Sequence, residues 1–113
     1  MKTFRGEVWL ADYGEPVGRE QGYPRPALIL HGSRFDMDRA GLAVAVPLTS
    51  RDRGYPTHVE VAPGPSGLRQ TSWAMGEQLR AISTSRLQRR LGEVDAAVLD
   101  RMTLVLRHLL QML

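Results

Sequence analysis

Two short apolar runs dictate most of what this chain can become. The first is Ala27-Leu28-Ile29-Leu30 and the second is Leu42-Ala43-Val44-Ala45-Val46. Neither alternates apolar with polar residues, as a strand with one wet face does, so both read as buried strands. Each run carries polar groups at one end. Arg25 leads into the first through Pro26, and the second runs out through Pro47-Leu48 to Thr49 and Ser50. Arginine presents a planar, permanently charged fork that matches phosphate oxygens. Threonine presents a hydroxyl on a stiff, β-branched stem. The expectation is that the two strand ends lie side by side and converge on one phosphate.

The rest of the chain supplies further short strands. Glu7 to Ala11 is β-prone. Asp12 to Pro24 contains Gly14, Pro16, Gly18, Gly22 and Pro24 and reads as a long loop. His31 to Gly41 reads as a turn with a short helix over Arg34 to Arg39. His58-Val59-Glu60-Val61 alternates and reads as a half-buried strand, followed by a Pro63-to-Gly67 turn. Leu68 to Ile82 reads as one long strand, bulged at Gly76. Near the C-terminus, Asp95 caps an amphipathic helix of about 17 residues. Val98, Leu99, Met102, Val105, Leu106, Leu109 and Leu110 form its apolar stripe. Several strands closed by one helix imply a mainly β fold with α. The economical arrangement is a small barrel of curled antiparallel sheet with the C-terminal helix against it.

Composition narrows the function classes. The 113 residues suit a single domain, and 42% hydrophobic with 24% charged residues is ordinary for a globular chain. There is no cysteine, hence no disulfide framework and no thiolate nucleophile. His31, His58 and His108 stand at no metal-ligand spacing, so neither a metal nor another cofactor is expected. The N-terminus lacks a signal-peptide pattern, and no run approaches the roughly 20 apolar residues of a membrane span. A cytoplasmic location without membrane contact is therefore expected. The net charge of +3 comes from fifteen basic and twelve acidic residues, and fourteen of the fifteen are Arg. Arginine excess suits phosphate recognition, but a GC-rich genome produces it too, and +3 is too small to decide. Arg51 and Arg53 read either as an RNA clamp or as a solvated loop. Tyr55 reads either as a stacking platform for a base or as packing before Pro56.

Four blocks stand out in order along the chain: Arg5-Gly6-Glu7-Val8-Trp9-Leu10, Gly18-x-Glu20-Gln21-Gly22-x-x-Arg25-Pro26-Ala27-Leu28, Val46-Pro47-Leu48-Thr49-Ser50 and Gln78-Leu79-Arg80-x-Ile82. In that order they resemble the motifs of the MazF/PemK/Kid toxin family. Together they span nearly the whole chain, residues 1–113. The resemblance implies an SH3-like, plasmid-toxin barrel that forms a homodimer. It implies a ribosome-independent, metal-independent endoribonuclease that cuts single-stranded RNA at short sequences and so inhibits translation and growth. The products implied are a 2′,3′-cyclic phosphate and a 5′-hydroxyl end. A cognate MazE-like antitoxin is the implied protein partner, with any DNA binding running through the antitoxin complex.

The same resemblance assigns roles. Arg25 matches the catalytic arginine and Thr49 the phosphate-positioning threonine, with Ser50 beside it. Glu20 and Glu77 are the candidate bases. Gln21, Gly22, Gln78 and Arg80 fall in RNA-binding motifs, alongside Arg51, Arg53 and Tyr55. One departure stands out. Where the Kid branch carries an Arg-x-Asp pair, this chain has Met75 and Glu77, so that branch's acid–base scheme does not transfer directly. Two rival readings remain. One is a CcdB-like gyrase poison on the same barrel; those poisons end their helix in an aromatic, whereas this chain ends Leu110-Gln111-Met112-Leu113. The other is a noncatalytic nucleic-acid-binding barrel.

Overall fold

The computed structural model describes residues 2–20 and 22–112. Among these residues seven strands precede one α-helix: β1 (Glu7–Asp12), β2 (Pro24–Ile29), β3 (Leu42–Thr49), β4 (His58–Val61), β5 (Ser72–Met75), β6 (Arg80–Ser83), β7 (Leu87–Glu93) and α1 (Ala96–Leu109). Every strand pairing is antiparallel. The order across the sheet is β4-β5-β3-β2-β1-β7, with β6 joined to β3 beside β5.

β2 and β3 lie at the centre, as their apolar runs require. Residues 27–29 are fully buried and Leu30 nearly so. Side-chain alternation sends them into two different cores. Leu28, Leu30, Val46 and Leu48 pack with Val8, Val59, Val61, Val98 and Met102 under the helix. Ala27, Ile29, Ala43 and Ala45 pack with Ala11, Tyr13, Ile82 and Leu87 on the other side. The second core is built largely from alanine, so the layers over it approach closely. The curled sheet with its helix is the architecture expected.

Four details differ from expectation. Residues 34–39 form turns, not a helix. Asp36 accepts the backbone N–H of Arg39 at 3.1 Å, and Gly41 closes the segment at φ +71°. Such Asx bonds offer the backbone an alternative to the helix ladder. The stretch 68–82 is two strands, not one bulged strand. β5 and β6 both run along β3, but a 3₁₀ turn at Gly76–Gln78 separates them. Leu48 pairs with Ala74 while Ala45 pairs with Arg80, so the turn inserts three residues into the register. Gly76 has no room for a side chain there, because a Cβ would sit 2.9 Å from the Thr57 carbonyl.

Strand β7 had no sequence signal. Its Leu-Gln-Arg-Arg-Leu-Gly-Glu run is mostly exposed, and two register shifts against β1 break its alternation. The helix is 14 residues long rather than 17. Asp95 caps it as expected, accepting the Val98 N–H at 3.0 Å. At its other end Gln111 turns left-handed at φ 56°. Met112 and Gln111 N–H groups then donate to the carbonyls of Arg107 and His108, a Schellman closure without glycine. Leu104, Leu109, Leu110 and Met112 are exposed. No helix among the described residues is long and apolar enough to cross a membrane.

Candidate active site

Arg25 sits at the start of β2 and Thr49 at the end of β3. The β2–β3 register pairs Ala27 with Pro47, and two further residues along it bring Arg25 level with Thr49. By alternation both side chains continue rows of the second core, and both residues border a cleft at the sheet's end. The convergence expected of the two strand ends is therefore present.

Each group keeps bonding capacity for a ligand. Among the described residues the half-buried Arg25 guanidinium makes one hydrogen bond, its Nε donating to the Gly22 carbonyl at 3.2 Å. Thr49 Oγ1 accepts the Arg51 N–H at 3.2 Å, which leaves the hydroxyl proton free to donate. Burial pushes the Arg25 pKa below its ordinary value, and the nearby Arg53 charge adds to that, while Tyr13 opposes it. The cation is thus held where an incoming anion relieves it.

Tyr13 and Arg80 complete this face. The Arg80 guanidinium lies over the Tyr13 ring at 5.6 Å, within cation–π range. Burial raises the Tyr13 pKa far above its usual value, so the phenol stays protonated. Its hydroxyl is buried without a hydrogen-bond partner among the described residues. Sequence reasoning missed Tyr13, which follows the β1 motif and carried no charge to draw attention. The fold shows that it continues the row of Ala11, packed in the same core.

The Asp12–Pro24 loop folds back on itself. Tyr23 N–H donates to the Gly14 carbonyl at 2.6 Å, with Tyr23 itself left-handed at φ 63°. A Cβ on Gly22 would stand 2.4 Å from Pro16 Cδ and 2.7 Å from the Gly14 carbonyl, so only glycine fits. Glu20 is exposed, and one carboxylate oxygen accepts the Val17 N–H at 3.0 Å. Gln78 reaches from the 3₁₀ turn to the Arg19 carbonyl of this loop at 3.4 Å. Gln21 lies outside the described residues.

Glu77 is placed differently. Its two oxygens take the Thr57 hydroxyl at 2.8 Å and His58 Nε2 at 3.0 Å. Burial alone would raise its pKa, but the hydrogen bonds from His58 and Thr57 outweigh it and hold the carboxyl below its ordinary range. Such a carboxylate is a weak base. Tyr55 leans on the His58 ring at a centroid distance of 5.0 Å. Half its surface stays exposed, so packing and a free stacking face coexist. Arg53 approaches Met75 Sδ at 3.8 Å and is half-buried, whereas Ser50 and Arg51 are exposed. His31 is committed to the fold, its Nδ1 accepting the Val44 N–H.

A profile of PemK-like, MazF-like toxins of type II toxin–antitoxin systems matches residues 4–110. The chain is 34% identical over 103 residues to endoribonuclease MazF9 of Mycobacterium tuberculosis, covering 87% of each. It is 32% identical over 104 residues to endoribonuclease EndoA of Bacillus subtilis, covering 89% of this chain and 88% of that one. The crystal structure of MazF from Deinococcus radiodurans superposes with a TM-score of 0.83 at 31% identity over 97% of both chains. A mycobacterial endoribonuclease in complex with its cognate antitoxin gives a TM-score of 0.79 at 26% identity, covering 99% of this chain and 98% of that one. The chain belongs to the PemK-like, MazF-like toxin family.

Proposed function

We propose that this chain, an endoribonuclease toxin by family and by relatives, cuts single-stranded RNA at the Arg25–Thr49 pair without a metal ion. The observation that carries the reading is that pair, level on neighbouring strands with unused donors.

The chemistry follows from the groups present. A base removes the ribose 2′-hydroxyl proton, and the 2′-oxygen attacks the adjacent phosphorus. Arg25 and the Thr49 hydroxyl hold the non-bridging oxygens as the phosphorane gathers negative charge. The bond to the 5′-oxygen then breaks, leaving a 2′,3′-cyclic phosphate, and a proton transfers to the departing oxygen. The lowered Arg25 pKa favours proton donation from that side. Glu20 is the base in this scheme. It stands on a loop that must close over RNA, and Glu77 is already committed to Thr57 and His58. Ser50, Arg51 and Arg53 line the path of flanking phosphates, Tyr55 offers its free ring face to a base, and Gln78 and Arg80 border the loop.

Two partners belong to the reading: a MazE-like antitoxin, and a second copy of the chain in a homodimer. The uncovered Leu104, Leu109, Leu110 and Met112 at the end of α1 supply apolar surface for such an interface. A monomeric mass by light scattering, with activity retained, overturns the dimer. The deciding experiment incubates purified protein with a long RNA, with and without EDTA, and identifies the ends. Cleavage in EDTA with cyclic phosphate and 5′-hydroxyl ends is expected. Loss of cleavage in EDTA, restored by magnesium, overturns the metal-independent mechanism.

A further inference from the structure

A cavity of about 440 Å³ lies at the sheet end, bordered by Arg25 and Thr49. Alternation separates its floor from their side chains. Leu10 pairs with Pro26 on one side and Arg89 on the other, and Leu48 continues the same row. That row faces the helix-side core. Leu68 and Leu91 close the apolar floor, while Arg69 and Arg89 stand at its rim. Among the described residues, no carboxylate lines the cavity.

The rim arginines contrast with their neighbour. Arg90 is tied to Glu7 at 2.7 Å and to Glu93 at 3.5 Å. Among the described residues, neither Arg69 nor Arg89 has an ion-pair partner. Their backbones are nonetheless held firmly. The turn before Arg69 is locked onto β7: Glu93 N–H donates to the Pro65 carbonyl at 2.9 Å. The buried Ser66 hydroxyl donates to the Ala62 carbonyl at 2.7 Å. A Cβ on Gly67 would sit 2.0 Å from the Leu91 carbonyl oxygen, so turn and strand touch backbone to backbone. Uncompensated cations on rigid backbone above an apolar floor form a preorganised site for an anion joined to a flat apolar body.

The geometry points to a nucleotide subsite: the cavity takes the base of a residue flanking the scissile phosphate, and Arg69 and Arg89 take its phosphate. Its wall is shared with Arg25 and Thr49, so one RNA strand turning over the sheet end reaches both. This assignment rests on the ribonuclease reading above, and it adds a substrate-holding site distinct from the reacting groups.

The test measures binding apart from cleavage. Fluorescent 2′-O-methyl oligonucleotides of random sequence, which lack the attacking hydroxyl, are titrated against wild type and the double variant Arg69→Gln/Arg89→Gln. The double variant should bind roughly tenfold more weakly or worse, as loss of two charge-assisted contacts requires. The slope of log affinity against log salt should fall by about 0.7 for each lost phosphate contact. With cleavable RNA, KM should rise while kcat stays near wild type. Arg34→Ala/Arg107→Ala removes the same charge elsewhere and should leave the slope and affinity close to wild type. Unchanged affinity and slope in the rim variant overturn the subsite. Loss of binding to an acidic amphipathic peptide with RNA binding intact also overturns it, in favour of a peptide groove. Should the rim variant misfold, titration of wild type with uridine monophosphate decides, read by NMR at the methyl groups of Leu10, Leu48, Leu68 and Leu91. Shifts there support the site, and shifts confined to Thr49 overturn it. If wild type binds the oligonucleotides but cuts no RNA, the ribonuclease reading fails while the subsite stands.

Discussion

Arg25 with Thr49 and Glu77 with His58 occupy element ends of one small sheet, yet they are in opposite chemical conditions. Arg25 spends one N–H on a loop carbonyl and Thr49 one lone pair on a backbone N–H. Both keep donors for a ligand. Glu77 gives both oxygens to Thr57 and His58 and is held ionised. The first pair is built to receive charge. The second ties the root of the Ser50–Pro56 loop to the 3₁₀ turn. Polar residues in a family motif thus divide into those that keep donors free and those already committed to partners, and hydrogen-bond occupancy tells them apart.

The strongest way to break the comparison is to remove the pair proposed to act. Arg25→Ala and Thr49→Ala should each lower cleavage by about a hundredfold, or ~3 kcal/mol of lost charge stabilisation, with unchanged circular dichroism. Arg25→Lys should also be poor, because an ammonium does not reproduce the planar fork. Initial rates at the wild-type level in folded variants would refute the site.

Next in size is the choice between carboxylates. Glu20→Gln should lower cleavage by on the order of a hundredfold and remove the acid limb of the pH–rate profile, the signature of a lost general base. Its melting temperature should hardly move, since the glutamine oxygen still accepts the Val17 N–H. If Glu77→Gln removes that limb instead, the roles are reversed.

Glu77→Gln should show itself in stability. Loss of its charge-assisted bonds costs about 1–2 kcal/mol. Because its folded pKa is depressed, the contribution is present above the unfolded value near 4.3 and fades as pH falls through the folded value. Urea melts at pH 7 should therefore separate variant from wild type, and melts in strong acid should bring them together. A gap independent of pH would contradict the ionised clamp.

The smallest effect is expected at Tyr13. Tyr13→Phe keeps the ring beneath Arg80 and removes a buried hydroxyl that has no partner among the described residues. Stability should rise by about 1 kcal/mol, the cost of an unsatisfied buried group. A fall in stability would show that the hydroxyl is satisfied in solution.

The sequence by itself determined the central strands, the capped helix, the curled sheet and the arginine–threonine pair. Those features rest on local patterns: unbroken apolar runs, an Asp before a helical stripe, and motifs at strand ends. Tertiary structure alone decided the rest. The edge strand β7 has a mostly exposed sequence, and pairing with β1 supplies what its pattern lacks. The stretch 68–82 splits because Gly76 must pass within contact of Thr57 and Met102, two distant segments. Glu20 and Glu77 looked equivalent as carboxylates in motifs, until the fold brought Thr57 and His58 to one of them. Arg89 and Arg90 are neighbours in sequence, yet only Arg90 meets Glu7 across the sheet. Local pattern fixes which segments leave water, but partners far apart in the chain fix which polar groups remain free to react.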